Sequence, residues 1–372
     1  MFAEVLKSVT IYDGNTIGRP DIGGWFPGAV RLPSGELLVM FLTGTDFEGD
    51  LTVASSRSRD DGETWEFAGA SFENAAPALG CVKPVLLKNG IIAAVGYCFS
   101  PSCVLVNPET GGLAPGANYT AFSRDGGDKW STPVNIDTGH PEVLEISGPA
   151  IELDNGDLLC VSTPFPMWDG QLPSGRKGIL LRSSDGGHSW RDSGTFFQSE
   201  NGNISPYENR IVKMPSGRLV IIIWCLDEVS GKSLNNHVVY SDDNGITWSE
   251  PLDTGISAQA SNLLPLADET LLSIHSIREG GDIGLHLCHA AIIDGHWQIL
   301  QRMKIWSGCA HSGKIDSLGS MGENLKFGQP SIIPLASGNY LALHWAMSGK
   351  TGRILGHIFN IYNQSASNHG NH

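Results

Sequence analysis

The 372-residue chain has no run of eighteen apolar residues, so the sequence predicts no membrane-spanning helix. Basic residues are scarce, because 24 Lys and Arg stand against 39 Asp and Glu, and the formal net charge is −15. This excess of negative charge disfavours nucleic acid or an anionic membrane surface as the main partner. The first residues show neither the basic nor the apolar region of a signal peptide, so we expect a cytoplasmic location.

Cysteine is also sparse, and its seven copies are odd in number. Most lie inside apolar runs, which favours buried free thiols over a disulfide framework. The Cys and His residues do not have the spacing of a zinc site, and no glycine-rich nucleotide motif leads from a strand into a helix. The sequence therefore predicts neither a metal nor a cofactor.

An eight-residue motif, Ser-x-Asp-x-Gly-x-x-Trp, is repeated along the chain. Four full copies occupy residues 58–65, 123–130, 183–190 and 241–248, and an eroded copy covers residues 294–297. In such a motif the Asp accepts hydrogen bonds from nearby backbone N–H groups, the Gly adopts a positive φ, and the Trp packs on the turn. Four copies, each preceded by a strand-like run, indicate a repeat architecture.

A second repeat alternates with the first and consists of two apolar strands joined by a short turn. Its six turns cover residues 32–35, 87–90, 153–156, 214–217, 266–269 and 335–338. Each unit then contains four strands, which predicts an all-β, six-bladed propeller with four-stranded antiparallel blades. We expect the unpaired strand at residues 8–12 to complete the last blade and close the ring. We also expect one domain over residues 1–363 and a disordered polar tail over residues 364–372.

The eight-residue motifs are similar to the Asp boxes, or BNR repeats, of the sialidase (neuraminidase) superfamily. In that family they form turns on the outside of the propeller blades. The resemblance implies a sialidase-like exo-glycosidase that hydrolyses a terminal sugar, an acidic sugar among the candidates, from an oligosaccharide or glycoconjugate. The resemblance in fold covers nearly the whole chain, whereas only one or two of the family's catalytic residues have a counterpart in this sequence. The resemblance does not indicate the oligomeric state.

The residues that begin the inner strands, nine or ten positions before each hairpin turn residue, are expected at one end of the central channel. Glu208 lies nine positions before Gly217 and matches the family's catalytic glutamate, which partners a nucleophilic tyrosine. Gln329 holds the same position in the sixth unit. The family's tyrosine has no counterpart there, and Tyr207 is the only tyrosine near such a position.

Substrate-binding candidates come from the positions where the family carries three arginines that bind the substrate carboxylate. Trp25 occupies the position of the first arginine, and His237 occupies that of the second. Arg278 and Arg353 lie at loop and strand-start positions that approach the channel. For each of these two arginines, a solvated charge at a strand end is the equally favoured alternative.

The resemblance places the general acid in the loop at residues 43–50, where Asp46 and Asp50 are the candidates. Three carboxylates within five residues raise one another's pKa, as a general acid near neutral pH requires. The alternative is an acidic surface loop. The sequence therefore predicts catalysis by Glu208 together with Asp46 or Asp50.

Three other functions remain open. A polysaccharide lyase would use His237 or His344 as its base, although a His on an apolar strand is more often part of the core. An exo-arabinanase-like hydrolase would use two glutamates, with Glu145 as the second carboxylate beside Glu208. The last alternative is a non-catalytic propeller that binds carbohydrate or protein.

Overall fold

The computed structural model describes residues 2–45, 51–72, 79–99, 104–310 and 324–362. These residues form six antiparallel sheets arranged as the blades of a propeller, which confirms the predicted fold. Within the same ranges, no helix has the length and apolar character needed to cross a membrane. The cytoplasmic location and the domain boundary at residue 363 stay predictions, and the tail at 364–372 lies outside the described residues.

The strands follow the six predicted units. The N-terminal strand is β1 (Phe2–Tyr12), and a short 3-10 helix, η1 (Gly14–Ile17), follows it. Blade one contains β2 (Gly23–Arg31), β3 (Leu37–Gly44), β4 (Thr52–Ser58) and β5 (Glu66–Ala70). Blade two contains β6 (Leu79–Leu86), β7 (Ile92–Phe99), β8 (Gly116–Ser123) and β9 (Val134–Asn135). Blade three contains β10 (Leu144–Glu145), β11 (Ile151–Glu152), β12 (Leu158–Pro164), β13 (Gly178–Ser183) and β14 (Arg191–Phe197).

The second half of the ring repeats this plan. Blade four contains β15 (Ile204–Lys213), β16 (Leu219–Asp227), β17 (Lys232–Ser233), β18 (Asn235–Ser241) and β19 (Leu252–Ser257). Blade five contains β20 (Ser261–Pro265), β21 (Leu271–Ile277), β22 (Gly284–Ile293) and β23 (His296–Ser307). Blade six contains β24 (Phe327–Pro334), β25 (Tyr340–Ser348) and β26 (Thr351–Tyr362).

Blade six is completed by the N-terminal strand. β1 pairs antiparallel with β26, so that Phe2 lies opposite Tyr362 and Val9 lies opposite Gly356. The order across this sheet is β1-β26-β25-β24, which makes β1 its outermost strand. The predicted ring closure is therefore confirmed, with a strand longer than the expected residues 8–12. β1 therefore supplies the fourth strand of a blade whose other three strands come from residues 327–362.

The core lies between neighbouring blades. All eight residues of β3 are buried, and the first five of β16 are buried as well. A middle strand of a blade has another blade against each of its faces, so it is apolar along its whole length and does not alternate between apolar and polar residues. This packing accounts for uninterrupted apolar runs in the sequence such as residues 219–223.

The Asp boxes join the third and fourth strands of the first four blades. In blade two, Asp125 Oδ1 accepts hydrogen bonds from Ser123 Oγ (2.8 Å) and from the N–H of Lys129 (2.9 Å). Ser123 Oγ accepts from the N–H of Gly127 (2.8 Å), and Trp130 Nε1 donates to the carbonyl of Gly127 (3.2 Å). The bonds of Ser and Asp recur around Asp60, Asp185 and Asp243, and the bond from Trp to Gly recurs at Trp65 and Trp190.

We expect Asp125→Ala to lower the free energy of unfolding by about 1 kcal/mol at neutral pH, because two donors lose their acceptor. The N–H of Lys129 holds the pKa of Asp125 below its usual value of 3.8. This stabilisation is therefore present above about pH 4 and is lost as the pH falls through the folded-state pKa. Urea unfolding at pH 7 and pH 3 measures it. Equal midpoints for mutant and wild type at pH 7 would contradict the structural role.

Candidate functional site

Three inner strands share a bulge at one end of the channel. Each bulge shifts the register against the next strand and places one non-glycine residue at a positive φ. These residues are Phe26 (φ 56°), Glu208 (φ 46°) and Gln329 (φ 43°). Backbone strain of this kind is concentrated at functional sites. All three lie nine positions before a hairpin turn glycine, so the structure brings the predicted pair of Glu208 and Gln329 to one place.

Glu208 is held from two sides. Its Oε1 accepts a hydrogen bond from Gln329 Nε2 (2.7 Å), and its backbone N–H donates to Oε2 of Glu145 (2.8 Å). Its second carboxylate oxygen, Oε2, is buried and has no hydrogen-bond partner within the described part of the chain. A buried polar atom without a partner costs about 1–3 kcal/mol. Oε2 of Glu208 is therefore the atom at this site best placed to accept a bond from a ligand.

Glu145 ends the short strand β10 and is only 4% exposed. Burial raises the pKa of its carboxyl group to about 7, and the negative charge of Glu208 adds to this effect. A carboxyl group that keeps its proton near neutral pH, beside a second carboxylate, is the arrangement that separates a general acid from a base or nucleophile. The two glutamates therefore have the chemistry of an acid and base pair.

We expect Glu145→Gln to raise the free energy of unfolding at pH 8, because an ionised buried carboxylate is replaced by a neutral amide of the same shape. A pKa raised from 4.5 to about 7 means that the folded protein holds the proton more tightly than the unfolded chain. The wild type therefore loses stability as the pH rises from about 4.5 through 7. The mutant should gain roughly 1–3 kcal/mol at pH 8 and little at pH 4. Equal denaturation midpoints for mutant and wild type at pH 8 would contradict the raised pKa.

Lys83 of β6 is a buried cation below this pair, and its side chain sets the orientation of Gln329. Its Nζ donates to the carbonyls of Phe26 (2.8 Å) and Pro27 (2.7 Å) and to Oε1 of Gln329 (3.1 Å). Because Oε1 of Gln329 faces Lys83, its Nε2 faces Glu208. Burial lowers the pKa of Lys83 to about 8.

Arg278 of blade five is buried against Phe327 and Gly328 of blade six, which precede Gln329 in sequence. Its Nε donates to the carbonyl of Phe327 (2.8 Å), and its Nη1 donates to Oε1 of Gln259. The guanidinium lies against Gly328, where a Cβ would stand 1.6 Å from Nη2, so only glycine leaves room for it. Burial lowers the pKa of Arg278 to about 10. Arg278 therefore adds a buried positive charge beside Gln329.

Tyr207 adjoins Glu208 in sequence, but its hydroxyl group faces another carboxylate. The hydroxyl donates to Oε1 of Glu228 (3.3 Å), and burial together with the charge of Glu228 raises its pKa. The ring packs between Phe165 (6.4 Å between centroids) and Trp224 (5.6 Å). Tyr207 is thus an aromatic wall of the site, and Glu208 does not activate it.

Two other sequence candidates lie in the core. Trp25 is 1% exposed, and the bulge places its neighbour Phe26 at the channel position instead. His344 is fully buried, with its Nε2 3.1 Å from Nε2 of His357, and burial lowers its pKa to about 3. A histidine with so low a pKa is neutral at pH 7, and its ring contacts His357 of blade six and Trp306 of blade five (4.5 Å between ring centroids).

Among the described residues, neither His237 nor Arg353 forms a hydrogen bond or ion pair with the two glutamates. His237 contacts the carbonyl of its neighbour Asn235 (3.0 Å), and Arg353 pairs with Asp13 (2.9 Å). Asp46 and Asp50 lie outside the described residues. Elsewhere in the described part of the chain, no group of three His, Cys, Asp or Glu side chains is arranged to hold a metal ion.

The sequence patterns do not point to Lys83 or Arg210, which both stand seven positions before a hairpin turn glycine. The structure places both side chains in the wall of one cavity. Counting back seven residues as well as nine would have found both cations. Glu145 was identified only as the second carboxylate of an alternative function, and the structure places it directly against Glu208.

A family model for the BNR/Asp-box repeat matches residues 239–250, and no curated protein matches the chain. A protein of unknown function from Dyadobacter fermentans has a similar structure, with a TM-score of 0.74, 20% identity and coverage of 97% of this chain and 99% of that one. The Hadza microbial sialidase Hz136 follows with a TM-score of 0.63, 16% identity and coverage of 94% and 68%.

An intramolecular trans-sialidase from Ruminococcus gnavus, solved with oseltamivir carboxylate, has a TM-score of 0.61 and 14% identity. That match covers 91% of this chain and 94% of the trans-sialidase. The predicted resemblance to the sialidases is confirmed for the fold and for the Asp-box repeat.

Proposed function

We propose that this Asp-box propeller with the sialidase fold is a glycoside hydrolase that releases a terminal sugar from a glycan. One observation carries the proposal: Glu208 and Glu145 meet at the end of the channel, where the N–H of Glu208 lies 2.8 Å from Oε2 of Glu145. Paired carboxyl groups are the usual machinery of glycoside cleavage. Glu145 is the proton donor, and Glu208 is the nucleophile or the base.

In this mechanism Glu145 protonates the glycosidic oxygen as the bond to the anomeric carbon breaks. The charge of Glu208 stabilises the positive charge that develops on the sugar ring. The anomeric carbon is attacked either by the carboxylate of Glu208, with water releasing the sugar in a second step, or directly by a water molecule that gives its proton to Glu208. Gln329, held by Lys83, keeps Oε1 of Glu208 in place. This pairing replaces Asp46 and Asp50 as the acid, because Glu145 lies in direct contact with the backbone of Glu208.

The surroundings favour a neutral terminal sugar over sialic acid. The position of the family's first arginine holds the apolar Phe26, and the Nε and Nη1 donors of Arg278 already serve Phe327 and Gln259. A clamp of three arginines for a substrate carboxylate is therefore not assembled within the described residues. This favours the exo-arabinanase-like alternative, which uses two glutamates. A lyase that relies on His344 is disfavoured by that residue's burial and low pKa.

A panel of aryl glycosides tests the proposal. It contains arabinofuranosides, rhamnosides, uronides and sialosides, and the enzymes are wild type, Glu208→Gln and Glu145→Gln. We expect wild-type turnover of a neutral glycoside, with both mutants impaired on that substrate. Tight binding of a glycan without turnover of any glycoside would support a carbohydrate-binding propeller instead. Turnover of a sialoside that is insensitive to Glu145→Gln would support the pairing of Glu208 with Asp46 or Asp50.

A further inference from the structure

A second layer of residues fills the channel beneath Glu208 and Gln329. One residue comes from each blade, seven positions before the hairpin turn residue: Gly28, Lys83, Pro149, Arg210, Asn262 and Ser331. They surround a small cavity with about 20 Å³ of space for the centre of a water-sized sphere. A cavity of this size holds one water molecule or one particle of similar radius.

The lining of this cavity carries two positive charges, and the negative charge of Glu208 acts on Lys83 from outside the lining. Lys83 is 3% exposed and Arg210 is 1% exposed, so both cations are removed from water. Among the described residues, neither side chain has a carboxylate oxygen within 4 Å, since no ion pair includes them. The layer itself contains no acidic residue. Two buried cations facing one cavity repel each other unless a negative charge lies between them.

Arg210 lines this space and has one unused hydrogen-bond donor. Its Nη1 donates to Ser147 Oγ (2.8 Å) and to the carbonyl of Asn209 (2.9 Å). Its Nη2 is buried and has no acceptor within the described ranges. The side chain is held against Gly148, where a Cβ would stand 3.0 Å from Cδ of Arg210. The guanidinium is thus fixed with one nitrogen unpaired, which costs free energy in the empty cavity.

Asn262 and Ser331 add neutral donors to the same wall. Asn262 Oδ1 accepts from the N–H of Leu263 (2.8 Å) and its Nδ2 donates to the carbonyl of Pro330 (3.1 Å), which sets the orientation of the amide. The second hydrogen of Nδ2 has no acceptor among the hydrogen bonds of the described residues, and the Ser331 hydroxyl lines the cavity.

We propose that this cavity is a binding site for one monatomic anion, chloride in solution, held by Arg210 Nη2 together with Asn262 and Ser331. The positive charges of Lys83 and Arg210 favour an anion over water, and the volume excludes sulfate and phosphate. The anion completes the hydrogen bonding of Arg210 and lowers the repulsion between the two cations. It therefore stabilises the layer of channel residues beneath Gln329 and Glu208, and this effect does not depend on which reaction the site performs.

Crystals grown with sodium bromide test the site directly. We expect an anomalous peak at the bromine edge within about 3.5 Å of Arg210 Nη2. In solution, the melting temperature of the wild type should rise by about 2–5 °C between zero and 0.2 M chloride or bromide. Sodium gluconate and sodium sulfate at matched ionic strength should not reproduce the rise.

Arg210→Met removes the donor and keeps the reach of the side chain, so it should abolish the halide dependence. Arg218→Met is the matched control, because Arg218 lies on the surface and pairs with Asp242 (2.7 Å). It should keep the full dependence. A water molecule without anomalous signal in the bromide crystal would overturn the proposal even if Arg210→Met fails to fold. Equal melting temperatures of the wild type in chloride and gluconate would also overturn it.

Discussion

Glu208→Gln should lower kcat by roughly 10²–10⁴-fold on the glycoside that the wild type cleaves. The amide keeps the size of the carboxylate. It removes the negative charge that stabilises the transition state, and it removes the carboxylate oxygen that acts as nucleophile or base. The amide can still bond Gln329, so the fold should be retained. Steady-state kinetics with an aryl glycoside measures the loss, and circular dichroism checks the fold.

Asp125→Ala is the control for this experiment, because it lowers stability without touching the channel. It should keep wild-type kcat at a temperature well below its melting point. Wild-type kcat in Glu208→Gln would mean that Glu208 is only a carboxylate at a strand end. Loss of kcat in Asp125→Ala would mean that activity follows stability, and the assignment of the Asp boxes would then be wrong.

Glu145→Gln should produce a loss that depends on the leaving group. A general acid is needed when the departing oxygen is a poor leaving group, so kcat should fall by roughly 10²–10³-fold on alkyl or disaccharide substrates. Dinitrophenyl glycosides leave without protonation, and their turnover should change by less than about tenfold. A series of aryl glycosides with different phenol pKa values measures this dependence as the slope of log kcat against the pKa of the leaving phenol.

Asp46→Asn and Asp50→Asn are the matched variants for that series. If Glu145 is the acid, both variants should show the wild-type slope. A steep slope in either variant, together with a wild-type slope in Glu145→Gln, would restore the pairing that the sequence alone predicted. The stability of Glu145→Gln gives an independent check. A mutant that is more stable at pH 8 but less active is expected if Glu145 is a catalytic carboxyl group whose burial destabilises the folded protein.

The propeller could be predicted because its turn chemistry is local. An Asp box needs only Ser, Asp, Gly and Trp at fixed spacing, and a two-strand hairpin needs only a turn residue between apolar runs. These signals lie within ten residues of one another, so the sequence alone locates all six blades. Glu208 and Gln329 could be found in the same way, by counting back from Gly217 and Gly338.

The channel residues of blade one show where this counting fails. A bulge adds one residue to the inner strand, and a shift of one residue moves each side chain to the opposite face. Trp25 was therefore assigned to the channel, although Phe26 occupies that position and Trp25 packs in the core. The structure shows the bulge through the positive φ of Phe26, but the residue types at this place do not predict it.

The partner of Glu208 could not be predicted from the sequence for a different reason. The inner strand of blade three is interrupted between β10 and β11, where Gly148 and Pro149 lie. Glu145 thus lies eleven positions before its hairpin glycine and contacts a residue 63 positions away. Such a contact depends on how two neighbouring blades pack. The buried cations Lys83 and Arg210 were missed because each looks, in sequence, like a charge at the end of an apolar strand.

The pH dependence of kcat/KM tests the central claim, that Glu145 and Glu208 act as an acid and base pair. The wild type should lose activity as the pH rises through about 7, because Glu145 must carry its proton and its pKa is raised to that value. On an alkyl glycoside, whose leaving group needs the proton, the activity that remains in Glu145→Gln should no longer fall as the pH rises through 7. An alkaline limb near pH 7 that persists unchanged in Glu145→Gln would contradict the pair.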